Sequence, residues 1–266
     1  MRAVWLYLPL LTLCLPLAVH AQDQPASQPA WIARSNAFTQ SILDVQIKYS
    51  PEQGSQQGLA QYDKEISDPS RAAEIAQRKE ESEAVAKLEA ALTTEKDQNV
   101  AEDLQIVIDS EKLGFRTSDY YLAHRVIFIN ATSLIFSGMQ PLLDDQVTQE
   151  RRQASVERLK KYAGLTPGYQ PITLGLIQRM KEQIAKPGVT YPSKSELETQ
   201  LSRNTQIVQG LHDLLVKYNV TGWEEAYAAL QKQLADYDSW IRTNVLPKSR
   251  TDFRLEPEEY ALSLEG

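Results

Sequence analysis

The chain has 266 residues, with 28 lysine and arginine residues against 35 aspartate and glutamate residues, and a single cysteine, Cys14. Its net charge of −7 gives no support for nucleic-acid binding, because that function needs a basic surface that neutralises phosphates. Since Cys14 lies in the leader predicted below, we expect a mature protein without disulfides and without cysteine-ligated metal.

The first 21 residues have the pattern of a signal peptide. Arg2 precedes an apolar segment from Val4 to Leu17, and small side chains precede an expected cleavage site before Gln22. A transmembrane anchor is the alternative, but two prolines interrupt a segment that is already shorter than the ~20 apolar residues needed to cross a bilayer. We therefore predict export to the periplasm or the extracellular space, with a polar linker over residues 22–28 and no membrane span in the mature chain.

The mature chain begins with two predicted helices. Apolar residues at spacings of three, four and seven predict a helix over residues 31–49. A proline ends this helix, and Glu52 to Gly58 is interpreted as a loop. The Asp68-Pro69 pair then predicts the start of a longer helix that reaches Leu92, because aspartate caps a first turn and proline fits its first position.

The segments that follow are more ambiguous. A helix is predicted from Asp97 to Leu113, with Gly114 as its C-terminal cap. The most apolar mature segment, Tyr120 to Leu143, fits two interpretations: β-branched residues favour a hairpin, whereas its length and helical neighbours favour a buried helix. We expect the helix. A glycosylation sequon at Asn130 is interpreted as a chance match inside this buried segment.

Four further helices complete an all-α array of irregular multi-helix form. They are predicted over Gln146 to Tyr162, Thr173 to Ile184, Lys194 to Tyr218 and Gly222 to Val245, with Ser193 and Thr221 as N-caps of the last two. The last of them is expected to bury a row of large side chains at steps of three and four: Trp223, Tyr227, Leu230, Leu234, Tyr237 and Ile241. Pro257 opens a final short helix whose apolar residues Tyr260, Leu262 and Leu264 are expected to lack burial partners.

Residues that carry chemistry are sparse. His20 leaves with the leader, and neither His124 nor His212 has the second histidine four residues away that a His-Glu-x-x-His zinc helix requires. The adjacent carboxylates Asp144-Asp145, Glu224-Glu225 and Glu258-Glu259 are interpreted as surface charge, because consecutive helical side chains diverge by about 100°. Two i, i+4 charge neighbours, Glu74 with Arg78 and Glu83 with Lys87, are likewise interpreted as a solvated face. We therefore predict no catalytic, cofactor-binding or metal-ligating residue in this chain.

Several segments together resemble one bacterial family, known as domain of unknown function 885. They include Gly58-Leu59-Ala60-Gln61-Tyr62-Asp63, then Asp68-Pro69-Ser70, then Leu159-Lys160-Lys161-Tyr162, and finally Asp252-Phe253-Arg254-Leu255 before Pro257-Glu258-Glu259-Tyr260-Ala261-Leu262. Members of the family are similar to zinc metallopeptidases of the thermolysin-like clan. The resemblance implies a mostly helical, exported peptide hydrolase, with zinc held by a His-Glu-x-x-His helix in the second half of the family domain.

No position of this chain matches that zinc motif. The resemblance thus implies that residues 29–266 are the helical N-terminal part of a larger family domain, truncated at the C-terminus and inactive alone, with zinc and a peptide substrate expected for the full-length domain only. The alternative is a non-catalytic exported α-helical module that binds a peptide or a partner. A His-Glu-x-x-His sequence encoded downstream would favour the enzyme.

Overall fold

A computed structural model describes residues 29–252 and 254–265, and the predicted leader and linker lie outside these residues. Within these described residues ten α-helices follow one another, which confirms the all-α prediction. Their bounds are α1 Ala30–Tyr49, α2 Pro51–Gln56, α3 Arg71–Leu92, α4 Gln98–His124, α5 Ala131–Met139, α6 Gln149–Tyr162, α7 Ile172–Ile184, α8 Lys194–Lys217, α9 Glu224–Asn244 and α10 Pro257–Glu265. Short 3₁₀ turns lie at Ala60–Tyr62, Gln140–Leu142 and Leu246–Lys248.

Helices α1, α3 and the first half of α4 form a small three-helix bundle with its own core. Its buried members stand four residues apart along α4, and in α3 Leu88 lies three and four residues after Val85 and Ala84, as an amphipathic pattern requires. They are Ile42, Ala84, Val85, Leu88, Val100, Leu104 and Ile108. The bundle is thus held by apolar packing, and the charged residues between these positions face outwards.

A second, larger core lies among α5 to α9. The six large side chains expected to be buried at the start of α9 and along it are all buried, so that prediction is confirmed. Leu159, Tyr162 and Leu176 reach the same core from α6 and α7. The core draws on five consecutive helices. It therefore fixes the C-terminal end of α4 and the N-terminal end of α8, where the candidate site lies.

A buried polar network attaches α2 and the Ala60–Tyr62 turn to this larger core. Arg158 is fully buried and donates hydrogen bonds to the carbonyl oxygens of Gly138 and Tyr62. The Tyr162 hydroxyl donates to Glu52 Oε1 at 2.8 Å. Arg151 forms an ion pair of 2.7 Å with Asp63, which is also buried. The prediction of a loop from Glu52 to Gly58 is wrong for most of its length. Its first five residues belong to the short helix α2, which has Pro51 in its first turn.

Two further segments differ from the sequence prediction. Helix α4 continues through Gly114 to His124, because Phe115 packs on the small bundle and Arg78 contacts its ring, with the guanidinium carbon 4.4 Å from the ring centroid. The segment from Tyr120 to Leu143 is neither one helix nor a hairpin. It comprises the end of α4, an extended stretch over residues 125–130, then α5 and a 3₁₀ turn.

The helix starts also differ in detail. Ser70, rather than Asp68, caps α3 by accepting from the Ala73 amide, while Asp68 accepts from the Ser70 amide. Thr221 does not cap α9, whose cap position is Trp223. Ser193 stands at the cap position of α8, but its hydroxyl makes no capping hydrogen bond. The first turn of α8, next to the candidate site, therefore has no side-chain cap.

Two charged side chains of α3, Glu74 and Arg78, are tied to neighbouring helices, which corrects one predicted pair, whereas Glu83 and Lys87 are exposed as expected. Glu74 forms an ion pair with Arg179 of α7. Arg78 pairs with Asp119 of α4 at 2.9 Å. These contacts bridge helices, so α3 is connected by charge to both halves of the molecule.

Candidate functional site

Three backbone segments meet side by side at one end of the larger core. The Val126 amide donates to the Thr190 carbonyl oxygen at 2.9 Å, and the Lys194 amide donates to the Arg250 carbonyl oxygen at 2.8 Å. These contacts form two isolated parallel bridges, Arg125 with Thr190 and Ser193 with Arg250. The middle segment leads directly into α8. An open cleft of about 710 Å³ lies beside the start of this helix.

An ion pair closes one side of the cleft. Arg125 follows the last residue of α4, and its Nη2 lies 3.2 Å from Oε1 of Glu259 in α10. The side chain of Arg125 is 12% exposed and that of Glu259 is 3% exposed. Arg125 Nη1 and Glu259 Oε2 have no hydrogen-bond partner among the described residues. A buried pair with open hydrogen-bonding positions is costly to leave unsatisfied, so these atoms stand out as candidates for ligand contact.

Tyr121 adds a third polar group to the same side. Burial, together with the negative charge of Glu259, raises the pKa of the Tyr121 hydroxyl. The hydroxyl therefore stays protonated through the physiological pH range and acts as a hydrogen-bond donor. It lies on the last turn of α4 and lines the cleft with Arg125.

The opposite side is built by Arg250 and the first turn of α8. The Arg250 side chain donates to the carbonyl oxygen of Arg254, and its buried Nε has no partner among the described residues. The hydroxyls of Ser193 and Ser195 lie 3.1 Å apart. The first turn of any α-helix presents amide donors without intrahelical acceptors, and the Ser193 side chain does not cap them here. This side of the cleft is thus rich in donors.

The remaining wall is apolar. Val126, Phe128 and Leu255 give the cleft apolar lining. A volume of several hundred Å³ with apolar walls and a few polar groups is typical of sites for small molecules or peptide segments. The described residues that line the cleft include neither histidine nor cysteine; their titratable side chains are those of Tyr121, Arg125, Glu196, Arg250 and Glu259. The arrangement is suited to binding.

The histidines do not come together in a metal centre. His124 stacks near Tyr120, with ring centroids 4.8 Å apart, and His212 lies against Trp223 at 5.2 Å on the other core face. Over residues 29–252 and 254–265, no group of three or more histidine, cysteine, aspartate or glutamate side chains is placed to hold a metal ion. The described residues therefore do not fit the zinc centre that the family resemblance implies. His20 and Cys14 lie outside the described residues.

Of the three predicted surface carboxylate pairs, one is corrected. Asp144, Asp145, Glu224 and Glu225 are exposed, as expected. Glu259 is buried against Arg125 and belongs to the candidate site, whereas its neighbour Glu258 is exposed. The sequence contained one usable signal: within α10, Glu259 and Leu262 stand three residues apart and share the face turned towards α4. The ionic partner, 134 positions earlier, had no local signature.

Among the described helices, none combines the length and apolar character needed to cross a membrane. No curated protein and no solved structure matches the chain. The family described as "bacterial protein of unknown function (DUF885)" matches residues 51–265. These residues include both sides of the cleft and the buried Arg125–Glu259 pair. Because this match covers most of the sequence, the chain belongs to that family of bacterial proteins of unknown function.

Proposed function

We propose that this chain is the peptide-binding helical part of an exported peptide hydrolase of zinc metallopeptidase type, and that the cleft beside the start of α8 is where the peptide binds. The observation that carries the proposal is the composition of this cleft. It combines an apolar wall with donors on two sides and has room for a segment of several residues. The hydrolase type rests on the family resemblance, and export rests on the predicted leader.

Different residues of the cleft bind the side chains and the backbone of a peptide. Phe128 and Leu255 offer apolar surface to side chains, which supplies most of the favourable free energy of association. The Tyr121 hydroxyl and the Ser195 hydroxyl lie among the polar groups of the walls and fix the direction of a bound backbone. Since no group of side chains among the described residues is placed to hold a metal ion, we assign bond cleavage to groups outside the cleft.

A blocking substitution tests the proposal. Ser195 is exposed and lines the cleft, so Ser195→Trp fills the cleft without disturbing the core. We expect a fluorescein-labelled tetrapeptide, Ala-Ala-Phe-Leu, to bind the unmodified chain and to lose about 10-fold or more in affinity to the variant, measured by fluorescence anisotropy.

The matched control is Ser202→Trp, which places the same side chain at an exposed position of the same helix, outside the cleft. It should bind the peptide within about twofold of the unmodified chain, because surface substitutions away from a site have small effects. Equal binding by the two tryptophan variants, or no binding by the unmodified chain, would remove the cleft as a peptide site.

A further inference from the structure

Two arginines of the cleft each have a buried nitrogen without an acceptor among the described residues: Nη1 of Arg125 and Nε of Arg250. Among these residues, Arg250 forms no ion pair with a carboxylate, and its Nε is buried without a partner. Its backbone is fixed by hydrogen bonds with Pro192 and Lys194, so its position relative to the start of α8 is set. The Lys194 amide of α8 is taken by the Arg250 carbonyl oxygen, whereas the Ser195 and Glu196 amides have no backbone acceptor among the described residues and add the positive end of a helix of 24 residues.

The other charges of the cleft limit the ligand to one negative charge. Glu259 already forms an ion pair with Arg125 Nη2. Glu196, on the first turn of α8, lines the cleft and is exposed. With two arginines against two glutamates, the lining has no excess positive charge for a dianion such as a phosphate monoester. A single carboxylate matches a planar guanidinium in a bidentate geometry and is better suited.

We propose that the cleft recognises the free C-terminal carboxylate of a peptide, an inference that rests on the proposed function. The Arg250 guanidinium and the first-turn amides of α8 bind the carboxylate, and Phe128 with Leu255 contact the apolar side chain next to it. Arg125 and Tyr121 bind from the opposite side, where Arg125 Nη1 still lacks an acceptor. Peptides with a free, apolar C-terminal residue are therefore the substrate class of this site.

Two forms of one peptide test the inference without any variant. Fluorescein-labelled Ala-Ala-Phe-Leu is compared as the free acid and as the C-terminal amide, which differ by the one negative charge. We expect the acid to bind about 10-fold or more tightly than the amide, since hydrogen bonds to charged groups carry that much discrimination. Equal affinities would overturn the carboxylate inference and leave peptide binding by the cleft intact. If neither form binds, the proposed function itself fails.

Arginine variants locate the effect. Arg250→Gln is expected to weaken binding of the acid by about 10-fold and to leave binding of the amide within about twofold. Arg203→Gln removes the same charge from an exposed position of α8 outside the cleft and should leave both forms unchanged. Circular dichroism of each variant checks folding. An Arg250→Gln chain that folds and keeps its preference for the acid would overturn the inference, as would an equal loss in Arg203→Gln.

Discussion

Asn204 joins three helices through one buried side chain. Its amide nitrogen donates to both carboxylate oxygens of Asp238 in α9, at 2.9 and 3.0 Å. Its amide oxygen accepts from Asn130, which in turn caps α5 by accepting from the amides of Thr132 and Ser133. The side-chain nitrogen of Asn130 is therefore already bonded and buried, which supports the interpretation of its sequon as a chance match. A fully connected network of this kind fixes the relative positions of α5, α8 and α9.

Asp238 gives this network a pH dependence. Burial raises the pKa of Asp238, with the hydrogen bonds from Asn204 opposing the shift only in part. A raised pKa in the folded state means that the fold favours the protonated form. The contribution of this group to the free energy of unfolding is therefore greatest below its unfolded pKa of about 3.9, and it decreases as the pH rises through the folded pKa.

We expect Asp238→Asn to remove that decrease. Measured by urea denaturation between pH 4 and pH 7, the free energy of unfolding of the variant relative to the unmodified chain should rise with pH. Asp236→Asn, at an exposed position of the same helix, serves as the control and should show no such trend. Parallel pH profiles for Asp238→Asn and the unmodified chain would contradict the assignment.

At the scale of elements, α4 shows how packing overrides a local signal. Glycine ends many helices because it tolerates a left-handed conformation, and it weakens a helix interior by about 1 kcal/mol relative to alanine. Gly114 nevertheless lies within α4, and a Cβ added there meets nothing within 4 Å. The helix continues because its residues on both sides of Gly114 contact other helices, including Asp119 with Arg78 and Arg116 with Glu265.

Gly114→Ala is therefore expected to stabilise the protein by about 0.5–1 kcal/mol in urea denaturation. The matched control is Gly138→Ala in α5, where a Cβ would collide with the Tyr162 hydroxyl in the larger core. That variant should be destabilised by about 1–3 kcal/mol, because overpacking forces the tyrosine from its hydrogen bond with Glu52. A loss of stability in Gly114→Ala would mean that α4 bends or ends at this position in solution.

At the scale of the whole molecule, the described residues form an open cleft and no group placed to hold a metal ion. His124 and His212 stack on different aromatic groups, and neither is joined by the further ligands that a zinc centre needs. We expect the purified chain from Gln22 to Gly266 to hold no stoichiometric zinc after equilibration with zinc and desalting, and to cleave no peptide above background. Metal analysis and a peptide hydrolysis assay measure the two outcomes.

The control for that experiment is the double variant His124→Ala with His212→Ala, which should retain the same trace zinc content as the unmodified chain. One tightly held zinc per chain, accompanied by hydrolysis that a chelator abolishes, would show that scattered residues assemble a catalytic centre. In that case, the division between a binding part and a catalytic part would be wrong.

The sequence by itself determined the helical class and most of the core, because apolar residues at helical spacing are buried wherever helices pack. This is why the large side chains of α9 were predicted correctly, and why α6, α7 and α8 begin and end within three residues of the expected positions. The length and helical neighbours of Tyr120 to Leu143 were misleading, since an extended stretch in its middle bonds to Thr190, a contact between residues far apart in sequence.

The candidate site was decided only by the tertiary structure. Arg125, Ser195, Arg250 and Glu259 come from four separate segments, and apart from the spacing of Glu259 and Leu262 no local pattern distinguishes them from the other charged or polar residues of the chain. Glu259 in particular belonged to a carboxylate pair that helical geometry assigned to the surface. Its burial depends on the docking of α10 against the end of α4, where Arg125 supplies the opposite charge that makes a buried carboxylate tolerable.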